Sequence, residues 1–303
     1  MTSVTIRAFP NVPMLTGSLN LARSTADDKF WLLVRHVFSH VPALNDFGAS
    51  GVSTIIPQNI GSNEINAVLQ ISFLFVNNTD DKGIRKALAP LASALSSVSD
   101  NTTTSDPLNF TFNITSYPTI TDFFAKNLKE ADVTGSSGTL GSRLISRHFF
   151  NPPDGPAQLT SALSKIKLGP GELISNNFVG GGAVARNAAT ISSAVHPAWR
   201  EALAHIIFGR GWSSNATFAE QERIRREVTE VQVPLLKALQ PDTGAYLNEA
   251  DAEEPDFRRA FWGSNYPRLA AVKKRWDPDG LFIVRAGVGS EEWDEEGICR
   301  VLY

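Results

Sequence analysis

Cysteine is nearly missing from these 303 residues, and methionine and tyrosine are scarce: 1, 2 and 4 of each. With Cys299 alone no intramolecular disulfide can form, which suits a reducing compartment. An excess of positive charge is also missing. Lys and Arg number 28 against 31 Asp and Glu, a net charge of −3, so the basic surface that a nucleic-acid backbone requires is excluded. No run approaches the ~20 apolar residues of a membrane span, and the start carries no charged-then-apolar signal pattern. Read as written, the chain is cytoplasmic and needs no membrane. Five Asn-x-Ser/Thr sequons, at Asn77, Asn101, Asn109, Asn113 and Asn215, hint at a secreted ancestry.

What is present suits a folded protein. The hydrophobic fraction of 42% and charged fraction of 19% are those of a globular chain. The length allows about two domains and burial of roughly three quarters of the unfolded surface.

Periodicity divides the chain into strands and helices. Alternation predicts strands over 5–8 and 15–21, and a long one in which Ile65, Ala67, Leu69, Ile71, Phe73 and Phe75 share a face. Phe110, Phe112 and Ile114 form a further set, with Asn109, Thr111, Asn113 and Thr115 on a wet opposite face. Later strands are expected at 142–148, 171–178, 188–195 and 201–208. Helical spacing of Phe30, Val34, Val37 and Phe38 follows a capping Ser24. Asp80 and Asp81 precede a second stripe of Ile84, Leu88, Leu91 and Leu95, with a kink expected at Pro90. A helix over 219–239 would turn Ile224, Val228, Val231 and Leu235 inward, and shorter helices close the chain near 256–262 and 266–276. The stretches 93–105 and 134–141 read as surface loops. Paired alternating strands separated by helices indicate an α+β fold: a large, mostly antiparallel sheet backed by helices.

Chemistry points first to Tyr246 and Asn248. Two apart on an extended segment, their side chains leave on one side, so a phenol and an amide share a pocket. An ordinary phenol, with its pKa of about 10, is a poor base at neutral pH, so hydrogen-bond or proton donation is its natural role. His148 follows a strand and can reach a pocket, and His196 stands in the tract Ser193-Ala-Val-His-Pro-Ala-Trp-Arg200; both are catalytic candidates. His36 and His40 have helical ligand spacing but no third partner, so no metal site is assigned. Gly180-Gly-Gly182 lacks the lysine of a phosphate loop and reads as a turn. Cys299 has no histidine base beside it.

The wording of the last fifth is more specific than any single residue. Tyr246-Leu-Asn248, Gly263-Ser-Asn-Tyr-Pro-Arg-Leu269, Val272-Lys-Lys274 and Asp277-Pro-Asp-Gly-Leu-Phe282 resemble the C-terminal segment of berberine-bridge-like FAD-linked oxidases. The tract around His196 resembles the fungal secondary-metabolism branch of that family, with histidine where asparagine is expected. The resemblance implies a substrate-binding cap over 1–240 and, over 241–303, a C-terminal segment whose helices return to the flavin domain. It implies that Tyr246 faces the substrate and that Asn248 lies by the cofactor. Residues 1–10 resemble the junction where a flavin domain ends. Neither the Arg-x-x-Gly-His-like nor the Cys-x-x-Val-Gly-like attachment segment is present, so the expectation is that FAD is not held by this chain alone. A separate flavin-domain chain, or a second copy, is the expected partner.

The function so implied is the substrate half of an oxidase acting on a small natural-product intermediate, bulky and apolar. Two alternatives stand beside it: a cofactor-free cyclase or isomerase of pericyclic type, and a binding protein without turnover.

Overall fold

The computed structural model describes residues 3–301 apart from 4, 7, 24–25, 62–63, 99–111, 128–136, 152 and 295–296. Its frame is one sheet of β1 (Met14–Arg23), β2 (Ser50–Gly61), β3 (Glu64–Val76), β4 (Asn113–Tyr117), β5 (Gly138–Ser146), β6 (Ile174–Phe178) and β7 (Ala202–Gly211). The order is β4-β1-β3-β2-β6-β7-β5, and every pairing is antiparallel. The helices are α1 (Asp28–Asp46), α2 (Asp81–Ser96), α3 (Ile120–Asn127), α4 (Arg147–Phe150), α5 (Gly155–Leu163), α6 (Gly182–Arg186), α7 (Phe218–Glu227), α8 (Val233–Lys237) and α9 (Tyr266–Trp276). This is the expected α+β architecture.

The alternation in β3 decides which face is the core. Ala67, Leu69, Ile71, Phe73 and Phe75 are buried against the stripes of α1 and α2, which carry Phe30, Val34, Val37, Phe38, Ile84, Leu88 and Leu91. Each such large side chain contributes about 1.5–3 kcal/mol by leaving water. Asp27, not Ser24, caps α1 by accepting from the Phe30 N–H at 2.8 Å; Ser24 lies outside the described residues. Asp80 caps α2, which runs on through Pro90. Ser93–Ser96, read above as loop, is its last turn.

Several expectations fail for tertiary reasons. Residues 5, 6 and 8 form no strand: β1 is already flanked by β3 and β4, so no edge beside it is open. Residues 188–195 are turn and coil, because β6 has β2 on one edge and β7 on the other. That loop is gathered instead by Arg200, whose guanidinium donates to the carbonyls of Val184 and Ile191 and to Ser193 Oγ. The sequence reading passed over β2, which is interrupted by Pro57; the ladder slips its register between Ile56 and Asn59 there. Gly138 to Gly141 open β5 rather than a loop. Thr134 to Ser136, and Asn109 to Thr111 of the predicted alternating set, lie outside the described residues.

The long helix expected over 219–239 is α7 and α8 joined by a π turn at Val228–Gln232. The extra residue in that turn rotates everything after it. Val231, predicted inward, is 56% exposed, while Gln232 is buried and donates to the Lys167 carbonyl. Ile224 and Val228, which precede the slip, point inward as expected. Glu222 meets Arg226 at 2.9 Å on the outer face.

Opposite the helices the sheet is left open, and its cross-strand register lines up two rows. One runs His205, Asn177, Val52, Ser72, Ser18; the other runs Ile207, Ser175, Thr54, Gln70, Asn20. A second, smaller core of Ala245, Ala260, Phe261 and Ala286 packs the C-terminal segment together. No described helix is long and apolar enough to cross a membrane.

Candidate functional site

The C-terminal segment is joined to the edge of the sheet by a main-chain bond in which Leu144 N–H of β5 donates to the Gly244 carbonyl at 2.8 Å. Within the segment, Ala245 N–H donates to the Ala260 carbonyl at 2.7 Å. Tyr246 is extended, but Leu247–Glu249 is a 3₁₀ turn, so simple strand alternation does not describe the pair. The side chains meet all the same: Asn248 Nδ2 donates to the Tyr246 hydroxyl oxygen at 2.7 Å. That bond occupies an acceptor position of the phenol and leaves its O–H to donate outward.

Behind Tyr246 sits His205, a residue that the sequence reading did not single out. It lies on the open face of β7, 2% exposed, with ring centroids 5.6 Å from Trp199 and 6.0 Å from Tyr246. Trp199 and Tyr246 are themselves 6.0 Å apart, so the three rings meet edge to face in a closed triangle. Nδ1 lies 3.5 Å from the Glu249 carboxylate, while Nε2 is buried with no hydrogen-bond partner. Burial lowers the His205 pKa to about 4, so the ring is neutral near pH 7 and the contact with Glu249 is not an ion pair. With Nδ1–H facing that carboxylate, Nε2 is the nitrogen with an unused lone pair. A lone histidine in the apolar run Ala202-Leu-Ala-His-Ile-Ile-Phe208 was the available signal.

His196 and His148 are placed elsewhere. His196 Nδ1 accepts from the Ala198 N–H at 3.0 Å, and Nε2 contacts the Arg259 carbonyl at 2.9 Å. Gly244 and Gly263 press on the ring so closely that a Cβ on either would come within 2.7 Å of it. With both nitrogens committed, His196 serves as a wedge that fixes the turn Pro197–Arg200, and hence Trp199. Burial, the largest influence, holds its pKa below the usual histidine value. His148 is exposed on α4 and borders, with His196, a cavity of about 670 Å³ that does not include Tyr246. Thus Tyr246 and Asn248 come together, and His148 and His196 share a different hollow. His40 Nδ1 is taken by the His36 carbonyl, and no metal-binding group of three or more His, Cys, Asp or Glu exists among the described residues.

Under the site lies a buried charge cluster. Arg143 in β5, 1% exposed, reaches Glu254 at 3.0 Å, and Lys237 reaches the other Glu254 oxygen at 2.8 Å. Desolvation lowers the Arg143 pKa, opposed by Glu254. The guanidinium stays charged regardless. Glu254 belongs to the segment that carries Tyr246, so this cluster ties that segment to the sheet. The glycine run at 180–182 is used for packing. A Cβ on Gly180 would stand 1.9 Å from the Ala202 carbonyl oxygen, and one on Gly181 would stand 2.3 Å from Asn45 Oδ1.

Comparison with known proteins agrees with this geometry. The family model for berberine and berberine-like proteins matches residues 245–289, the segment that holds Tyr246 and Asn248. An FAD-linked oxidoreductase from Arthroderma benhamiae is 39% identical over 301 residues, which is 99% of this chain and 50% of that protein. The FAD-linked oxidoreductase malF of Malbranchea aurantiaca is 37% identical over 301 residues, 99% of this chain and 48% of that one. The chain therefore spans about half the length of the curated relatives it matches. Among solved structures, a VAO-type flavoprotein from Myceliophthora thermophila superposes with a TM-score of 0.83 at 28% identity, covering 98% of this chain and 52% of that one. Fold, site segment and relatives coincide: residues 245–289 match the family model for berberine and berberine-like proteins, and the chain as a whole is similar to about half the length of fungal FAD-linked oxidoreductases.

Proposed function

We propose that this chain forms the substrate-binding wall of an FAD-linked oxidoreductase, with Tyr246, Asn248 and His205 at its reacting end. The observation that carries the reading is the His205 ring, sealed beneath Trp199 and Tyr246 with Nε2 unpartnered, directly behind the segment shared with the family. The described residues fit the ring end of the cofactor only. Asn248 and Tyr246 offer an amide and a phenol for a flat heterocycle, but the glycine run packs on protein, so no diphosphate cradle is identified in it. The remaining FAD contacts are assigned to a flavin-binding half outside these 303 residues. An apolar surface on the C-terminal segment supports that assignment: Trp276, Leu281 and Phe282 are 75–80% exposed.

FAD, when bound, accepts two electrons from the substrate. This chain's contribution is to bind, orient and dehydrate. Tyr246, held by Asn248, donates its O–H to a substrate oxygen. Trp199 excludes water from His205, whose neutral, buried ring backs the Tyr246 ring and holds it in place. Positioning of this kind lowers a barrier by removing orientational freedom before reaction.

The test is reconstitution. The flavin-binding half of the Arthroderma benhamiae relative is co-expressed with this chain, and the purified product is examined for flavin absorbance and substrate-dependent bleaching. A co-purifying yellow complex is expected, with Tyr246→Phe slowing bleaching about a hundredfold while leaving association intact. Turnover of an intermediate by the colourless chain alone, unaffected by added flavin, would overturn the reading in favour of a cofactor-free cyclase. Association without any turnover would favour a binding protein.

A further inference from the structure

Between β6 and β7 the chain makes a surface excursion whose two feet stand beside the site. It leaves β6 at Phe178, next to Asn177, the direct cross-strand partner of His205. It returns through the turn Pro197–Arg200, which carries Trp199. Both feet are fixed. Gly180 lies against the Ala202 backbone, and its carbonyl accepts from Asn45 Nδ2 at 3.2 Å. His196 is wedged between Arg259, Gly244 and Gly263.

The stretch between the feet is held differently. Residues 182–195 bury no side chain, and Ile191 and Val195 are 50% and 49% exposed. Hydrogen bonds from outside keep it in place. Arg200 donates to the Val184 carbonyl at 3.1 Å, the Ile191 carbonyl at 3.2 Å and Ser193 Oγ at 3.3 Å. From the C-terminal segment, Asn265 Nδ2 donates to the Val195 carbonyl at 2.8 Å and the Ser193 carbonyl at 3.4 Å, and Arg268 donates to the Ser193 carbonyl at 2.9 Å. A segment secured by a few surface hydrogen bonds, with no apolar burial, opens at far lower cost than the strands around it. Gly181 and Gly182, with φ of +74 and +48, give its first foot a hinge. Arg200 thus stands at a junction. Its own side chain gathers the loop, and the ring of the residue before it closes over His205.

We propose that residues 182–195 form a flap at the mouth of the site and that Arg200 is its latch, a positioning residue that keeps Trp199 over His205 while the flap is closed. Release of the latch relaxes the turn Pro197–Arg200, so Trp199 leaves the imidazole and the reacting end opens to a ligand. The proposal rests on the reading of the site given above.

Two measurements on the 303-residue chain test it without flavin. Arg186 is exposed and is the one Lys or Arg between Phe178 and Arg200, so trypsin cleavage after it reports the loop. Diethyl pyrocarbonate acylates neutral imidazole, the form His205 holds near pH 7, and mass spectrometry locates the product. Exposed His148 is the reference, and buried His196, fixed from outside the loop, reports general loosening. Arg200→Ala should raise both cleavage after Arg186 and acylation of His205 about tenfold, leaving His148 and His196 at their wild-type rates. Arg200→Lys keeps the charge but not the fork and should fall between. Asn265→Ala releases the loop from its other side and should raise both rates about threefold; it decides the matter if Arg200→Ala does not fold. Three results overturn the proposal: Arg186 freed while His205 acylation stays at the wild-type rate, neither rate changed, or His196 rising in step with His205. A yellow, active reconstituted enzyme alongside any of these leaves the oxidoreductase reading standing while the flap falls. Selective exposure of His205 in a chain that forms no flavin complex does the reverse.

Discussion

An imidazole sealed beneath two aromatic rings responds to pH differently from one in water. His205 titrates at about 4 in the folded protein because burial disfavours its cation, against about 6.5 in an unfolded chain. Between those values the unfolded chain binds a proton that the folded one does not. Stability is therefore full above pH ~6.5 and falls as pH drops toward ~4, by up to about 3 kcal/mol. Glu249 is the carboxylate facing the ring. His196 and His36, whose pKa values are also lowered chiefly by burial, add in the same direction. Urea unfolding followed across this window should show the loss, and His205→Gln should flatten much of it. An unchanged slope in His205→Gln would show that the proton is taken up elsewhere.

At the scale of elements, close backbone approach and backbone conformation can be separated at two glycines. Gly180, between β6 and α6, meets only backbone: a Cβ there would stand 1.9 Å from the Ala202 carbonyl oxygen and 2.6 Å from its carbon. Gly171, before β6, has φ +77 and open space around it. Gly180→Ala must push two segments apart and should cost about 3 kcal/mol or more. Gly171→Ala meets only left-handed strain and should cost about 1 kcal/mol. Chemical denaturation of the two variants reads this directly, and equal midpoints would refute the packing account. The π turn at Val228–Gln232 belongs to the same scale. Counting residues at helical spacing located Ile224 and Val228, but one inserted residue put Val231 in water.

For the whole molecule, the question is what holds the C-terminal segment against the sheet. Its own core is small, so the buried bridge from Arg143 and Lys237 to Glu254 and the main-chain bond from Leu144 to Gly244 do much of the joining. Removing one partner of a buried ion pair strands the other. Glu254→Gln is expected to cost about 3–5 kcal/mol. It should also make residues 245–301 the first part cut in limited proteolysis, before the sheet. Lys237→Met, at a partly exposed position, should cost much less. Equal losses in the two variants would mean that the cluster is not the tie described.

The outline of the protein was legible in its sequence. Alternation marked β3, helical spacing marked the inward stripes of α1 and α2, and the wording of 246–282 marked the family. These signals are local, because a pleat or a helical turn imposes its period on neighbouring residues whatever they later pack against. That Tyr246 and Asn248 meet was legible for a similar reason, although a 3₁₀ turn and not a strand brings them together. The rest of the site was not. Whether His205 is buried scaffolding or part of a reacting end depends on Trp199, Tyr246 and Glu249. Whether His196 is free depends on Arg259, Gly244 and Gly263. That Asn177, Ser72 and Ser18 share one row with His205 depends on four strand pairings between residues far apart in the chain. Register and burial are set by where distant segments meet, so only the tertiary structure decided them.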